Sequence, residues 1–79
     1  MKHLLVTGFY PSKKTAEKVL EKVKGNCAKA RIEEYDGAYT VVLAENDDYE
    51  KIDDEFSKFM KLKIYCGIIS VTGSIKGQN

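Results

Sequence analysis

The stretch "GFYPSKKT", residues 8 to 15, carries the spacing closest to a phosphate loop. Such loops read glycine, four residues, then Gly-Lys followed by Ser or Thr. Here Gly8 is followed by four residues and then Lys13-Lys14-Thr15. Lys13 occupies the place of the second glycine, where a permissive backbone must approach phosphate closely. Pro11 removes one of the backbone N–H donors on which the cradle relies. The stretch therefore reads as strand, turn and helix cap. A weaker anion site survives in Ser12, Lys13 and Lys14, because they flank a helix N-terminus with free N–H groups. Without an anion, the two lysines oppose the positive end of the helix dipole.

Other chemistry is sparse. His3 is the single histidine, so every Ser/His/Asp or Cys/His set would have to use it. Asp47-Asp48 and Asp53-Asp54-Glu55 read as a helix cap and a solvated helix face. They lack the glycine and terminal glutamate of a calcium loop. Cys27 and Cys66 form no CxxC pattern and read as reduced, partly buried thiols. No catalytic set, metal site or cofactor motif emerges, and the chain reads as non-enzymatic.

Composition bounds the rest. Seventy-nine residues make one small domain with 43% hydrophobic residues, enough for a globular core. Lysine plus arginine number 13 against 12 acids, for a formal net charge of +1. No strong field draws the chain to nucleic acid or an anionic membrane. The apolar run after Met1 is too short for a signal peptide, and no run reaches the ~20 apolar residues of a membrane span. The expectation is a cytoplasmic protein.

The positioning elements are legible. "HLLVTGFY", residues 3 to 10, reads as a strand, with both parities apolar: Leu4 and Val6 on one, Leu5 and Phe9 on the other. Ser12 then caps a helix with Ala16, Val19, Leu20 and Val23 on its buried face. Gly25 is placed at C′, ending that helix. Asp36-Gly37 signals a two-residue type I′ hairpin. That turn sets Tyr35 opposite Ala38, Glu33 opposite Thr40 and Ile32 opposite Val41. Ala28, Ala30, Ile32, Val41 and Leu43 then share the core face. Lys29, Arg31, Glu33, Thr40 and Val42 share the other. Asn46, Asp47 and Asp48 open a second helix with Tyr49, Ile52, Phe56, Phe59 and Met60 at helical spacing, ending near Leu62. Residues 63 to 71 read as a last strand. Phe56 and Ile32 are expected in the core.

This order predicts an α+β, ferredoxin-like βαββαβ fold: a four-stranded antiparallel sheet with two helices on one face and the first and third strands central. The domain spans residues 1–73, and 74–79 reads as a flexible tail.

The stretch from Leu4 to about Met60 resembles the SPOR domain. "VTGFYPSKKTAEKVLEKVKG" keeps Gly8, an aromatic at Tyr10, Ser12, Ala16 and Gly25, and "DGAYTVVLAEN" keeps Gly37, Tyr39 and Val41. Val6 stands where the family has glutamine, Thr40 where it has arginine, and the later Gly-Pro-Phe is missing. The resemblance implies a βαββαβ module that binds peptidoglycan glycan strands, stripped of stem peptides, on the sheet face away from the helices. Carried over by position, that face includes Val6, Arg31, Thr40 and Val42, with Tyr35 at the hairpin end.

The first and last strands are apolar on both parities, which points to a sheet covered on both faces. Val6 and Val42 are expected on the face away from the helices, covered by another chain or a ligand. Three uses of that face follow: a protein or glycan partner; a homodimer packed sheet to sheet with a small ligand at the seam, as in ACT-like domains; or RNA. Near-zero net charge ranks RNA last.

Overall fold

The computed structural model describes residues 1–71. The expected tail and the end of the domain at residue 73 lie outside the described residues. The elements are β1 (Lys2–Tyr10), α1 (Lys13–Lys24), β2 (Arg31–Tyr35), β3 (Ala38–Asn46), α2 (Tyr49–Lys61) and β4 (Gly67–Val71). All neighbouring strands pair antiparallel, in the order β2-β3-β1-β4. The fold is α+β and ferredoxin-like, with β1 and β3 central.

Both helices pack on one side of the sheet. Leu5, Val41 and Leu43 meet Ala16 and Val23 of α1 and Phe59 of α2 in one buried cluster. Leu4, Val6 and Val42 form a second buried cluster, joined by Tyr35, Ile69 and Val71, with no helix residue in it. The sheet thus has a helix face and an open face.

Local chemistry accounts for the element ends. The Ser12 hydroxyl accepts the Thr15 N–H at 3.2 Å and caps α1. Asp48 caps α2 by accepting the Glu50 N–H at 3.0 Å, and Asn46 Oδ1 accepts the Asp48 N–H at 2.8 Å. Asp36 and Gly37 take φ of 52° and 85°, as a type I′ turn requires. The resulting register pairs Tyr35 with Ala38, Glu33 with Thr40 and Ile32 with Val41.

Several expectations need correction. Gly25 sits at the cap of α1 with φ −64°, a right-handed conformation open to any residue. Residues 25–30 form turns, so Ala28 and Lys29 precede β2 and are exposed. The last strand begins at Gly67, because α2 ends in a Schellman motif that occupies residues 62–64. The Ile64 N–H reaches the Phe59 carbonyl, the Lys63 N–H reaches that of Met60, and Lys63 has φ 66°. Phe56 and Ile32 are half-buried at the margin of the core, while Ile52 and Phe59 are buried. Tyr49 lies outside the core, meeting the His3 ring edge-on at 5.3 Å.

Candidate functional site: the open sheet face

Two bulges determine which side chains the open face presents. Val6 pairs with Val42 and Phe9 with Thr40, so β1 spends one residue more than β3 between these pairs. Gly8 lies in that bulge with φ 152°, a region that favours glycine. Leu5 pairs with Ala44 while Val6 pairs with Val42, leaving Leu43 as the extra residue on β3. Leu43 and Ala44 consequently both pack toward the helices. The first bulge corrects one expectation. Phe9 does not follow Leu5 to the helix face but stands with Val6, while Tyr10 packs on the helix-side core.

Val6, Arg31, Tyr35, Thr40 and Val42 all fall on the open face. Arg31 stands opposite Val42, Glu33 opposite Thr40, and Tyr35 packs against the Leu4–Val6–Val42 cluster. Val6 and Val42 are already enclosed within the chain, at 3% and 0% exposure. Their neighbours on this face include long side chains that can lie over a flat strand.

Charge borders the apolar strip at one end. Arg31 Nε donates to Glu33 Oε2 at 2.7 Å, and Arg31 Nη2 donates to Glu45 Oε1. Lys2 Nζ lies 3.4 Å from Glu45 Oε2. The bond from Arg31 holds the Glu45 carboxyl below its usual range. Lys2, Glu33 and Glu45 escaped the reading of candidate site residues. Glu45 reaches this face only because of the second bulge, for which the sequence gives no turn signal.

Aromatic and hydroxyl groups occupy the other end. Phe9 is 50% exposed, and its ring meets that of Tyr35 at 5.8 Å and 82°. Burial, with the nearby Glu33 charge second, raises the Tyr35 phenol above its ordinary pKa. Tyr35 Oη and Thr40 Oγ1 are both buried and make no hydrogen bond. Thr40 is fully enclosed. A buried hydroxyl without a partner forfeits its solvation, at about 1 to 3 kcal/mol. Two of them on one sheet face are an unusual concentration.

The remaining chemistry-bearing groups are dispersed. Ser12, Lys13 and Lys14 are exposed at the start of α1, and the Ser12 hydroxyl is already engaged as the cap. His3 Nδ1 pairs with Ser70 Oγ at 2.7 Å. Cys27 and Cys66 are free and half-buried. The Cys27 thiol donates weakly to the Leu43 carbonyl, and burial pushes the Cys66 thiol up. A cleft of about 620 Å³ opens on the helix side between Asn26–Lys29 and α2. Four of its charges pair with one another on its rim, Arg31 with Glu45 and Lys58 with Glu55. Among the described residues no group of three His, Cys, Asp or Glu could hold a metal, and no helix is long and apolar enough to cross a membrane.

No protein-family model, curated protein or solved structure matches this chain.

Proposed function

We propose that this chain is a non-enzymatic binding module that takes its partner on the open sheet face, in the manner of SPOR domains. The observation that carries the reading is the half-exposed ring of Phe9, set edge-on against Tyr35 on a face that Arg31 and Glu45 border with charge. An exposed aromatic ring on the same face as the accessible Arg31 and Glu45 side chains suits a ligand with apolar C–H surface and hydroxyl or amide groups. Glycan strands have both. A protein segment presenting a polar backbone group would meet the same chemistry.

The sheet-to-sheet homodimer ranks second on physical grounds. Leu4, Val6 and Val42 are already enclosed within one chain. A seam over them would remove little further apolar area from water, which is what usually drives such packing.

The test titrates isotope-labelled protein with soluble glycan strands lacking stem peptides, following backbone amide shifts. The reading expects saturable shifts at Phe9, Tyr35, Thr40 and Val42, lost in Phe9→Ala. Shifts confined to the helix side, or none at millimolar glycan, would sink the glycan reading. Pull-down by the wild type and not by Phe9→Ala would then identify a protein partner on the same face.

A further inference from the structure

The two edges of the sheet differ in kind. A sheet edge presents a row of N–H and C=O groups with no neighbour, and natural monomers guard it with charge, proline or a bulge. β2, "RIEEY", is guarded: Arg31, Glu33 and Glu34 stand along it. β4, "GIISV", has no charged residue and no proline, and its pairing with β1 runs without a bulge. Among the described residues nothing pairs with its outer side. Ile68, Ile69 and Val71 are only half-buried. Just before β4 the chain also exposes Leu62, and Tyr65 at 72%.

We infer that β4 is a self-association edge, where a second copy of this chain pairs antiparallel about a two-fold axis and continues the sheet to eight strands. Symmetry selects the occupant. A two-fold antiparallel pairing sets each strand against its own reverse. Centred on Ile69, it puts Ile69 opposite Ile69, Ile68 opposite Ser70 and Gly67 opposite Val71, with no charge facing its like. The same operation on β2 would set Glu33 against Glu33, and like charges directly opposite destabilise a pair. Continuity adds to this. Ile69 and Val71 already pack on the Leu4–Val6–Val42 cluster, so the partner's cluster would join it across the seam. The seam uses the edge of the sheet and leaves the Phe9 and Tyr35 end of the open face uncovered for the ligand proposed above. It stands or falls independently of that ligand.

The experiment is sedimentation equilibrium on the full chain from low micromolar to millimolar concentration, with three variants. The wild type should dimerise. Ser70→Lys, at an exposed β4 position, should raise the dimer dissociation constant about tenfold or more, equivalent to at least ~1.4 kcal/mol. Glu34→Lys, on the opposite edge, should leave it unchanged. Phe9→Ala, on the ligand face, should also leave it unchanged. Far-UV circular dichroism establishes that each variant is folded. If Ser70→Lys does not fold, amide exchange of the wild type takes its place: protection of residues 67–71 should rise with concentration. A wild type that stays monomeric throughout would overturn the inference and leave β4 open to an extended segment of another protein. A dimer untouched by Ser70→Lys, or one without concentration-dependent protection of β4, would overturn it as well.

Discussion

The rings of Phe9 and Tyr35 touch although their strands are not neighbours. Phe9 stands on β1 and Tyr35 on β2, with β3 between them, yet the ring centroids are 5.8 Å apart. The residue of β3 opposite Phe9 is Thr40, which is fully enclosed. The aromatic pair thus spans the strand that carries the unpartnered hydroxyl. Three features of this face follow from that arrangement, and each has a measurable consequence.

Thr40→Val should stabilise the protein. The substitution replaces an unpaired, buried hydroxyl with a methyl group of similar size. Valine also suits a central strand. The gain should be about 1 kcal/mol, read as a higher urea midpoint with an unchanged slope. Lower stability in Thr40→Val would mean that Oγ1 has a partner in the folded protein.

Tyr35 should ionise above the ordinary range of a phenol. Burial, aided by the Glu33 charge, raises its phenol in the folded state. The unfolded chain has the ordinary value of about 10, so it releases this proton first as pH rises. The stabilisation from a neutral Tyr35 is therefore complete below about pH 10 and is lost as pH climbs through the higher folded value. Tyrosinate absorbance should show a lagging phase that Tyr35→Phe removes. Simultaneous titration of all tyrosines in the folded protein would place the hydroxyl in water.

Val42→Glu should compromise folding. Val42 is enclosed at 0% exposure, against Leu4 and Val6, so the carboxylate would lose its solvation. Arg31 stands opposite but is already engaged with Glu33 and Glu45. The expected cost is roughly 2 to 4 kcal/mol by chemical denaturation. This reverses the expectation drawn from a simple two-faced sheet, in which position 42 lies outside any core. A melting point close to the parent's would restore that expectation.

At the far end of α2, Lys63→Gly should be stabilising by about 0.5 to 1 kcal/mol. Lys63 holds the left-handed conformation of the Schellman motif, which strains a residue with a Cβ. Glycine relieves that strain and offsets it in part with its own chain entropy. Thermal denaturation of the pair would measure the difference, and a destabilised variant would show that the lysine side chain makes a contact of its own.

What the sequence discloses here divides along physical lines. Signals confined to a few neighbouring residues were readable. Asp36-Gly37 sets the hairpin register, Ser12 and Asp48 cap their helices, and the alternation of Arg31, Glu33, Thr40 and Val42 assigns a common face. Features arising from a mismatch between strands were not. The side that Phe9 faces depends on the extra residue β1 carries between Val6 and Phe9; Gly8, isolated inside the strand, hints at a bulge there but does not give the pairing across it. Lys63 likewise hid the turn that follows α2 and delays β4 to Gly67, because the position usually belongs to glycine. Burial of Val42 was missed because alternation gives the direction of a side chain, not the length of the neighbours that cover it.

The bulge at Gly8 has a consequence for kinship. β1 has one residue more than its partner needs, so a chain lacking Gly8 could pair Val6 with Val42 and Phe9 with Thr40 in an unbroken ladder. The side chains would face the same ways. Leu43 is supernumerary in the same sense on β3. A relative with regular central strands would therefore match this chain only through single-residue gaps inside two strands, where gaps are least expected. Gapless superposition of the sequences would set Leu5 against a neighbour's sheet-face residue, and the shared surface would vanish from the comparison while remaining intact in space.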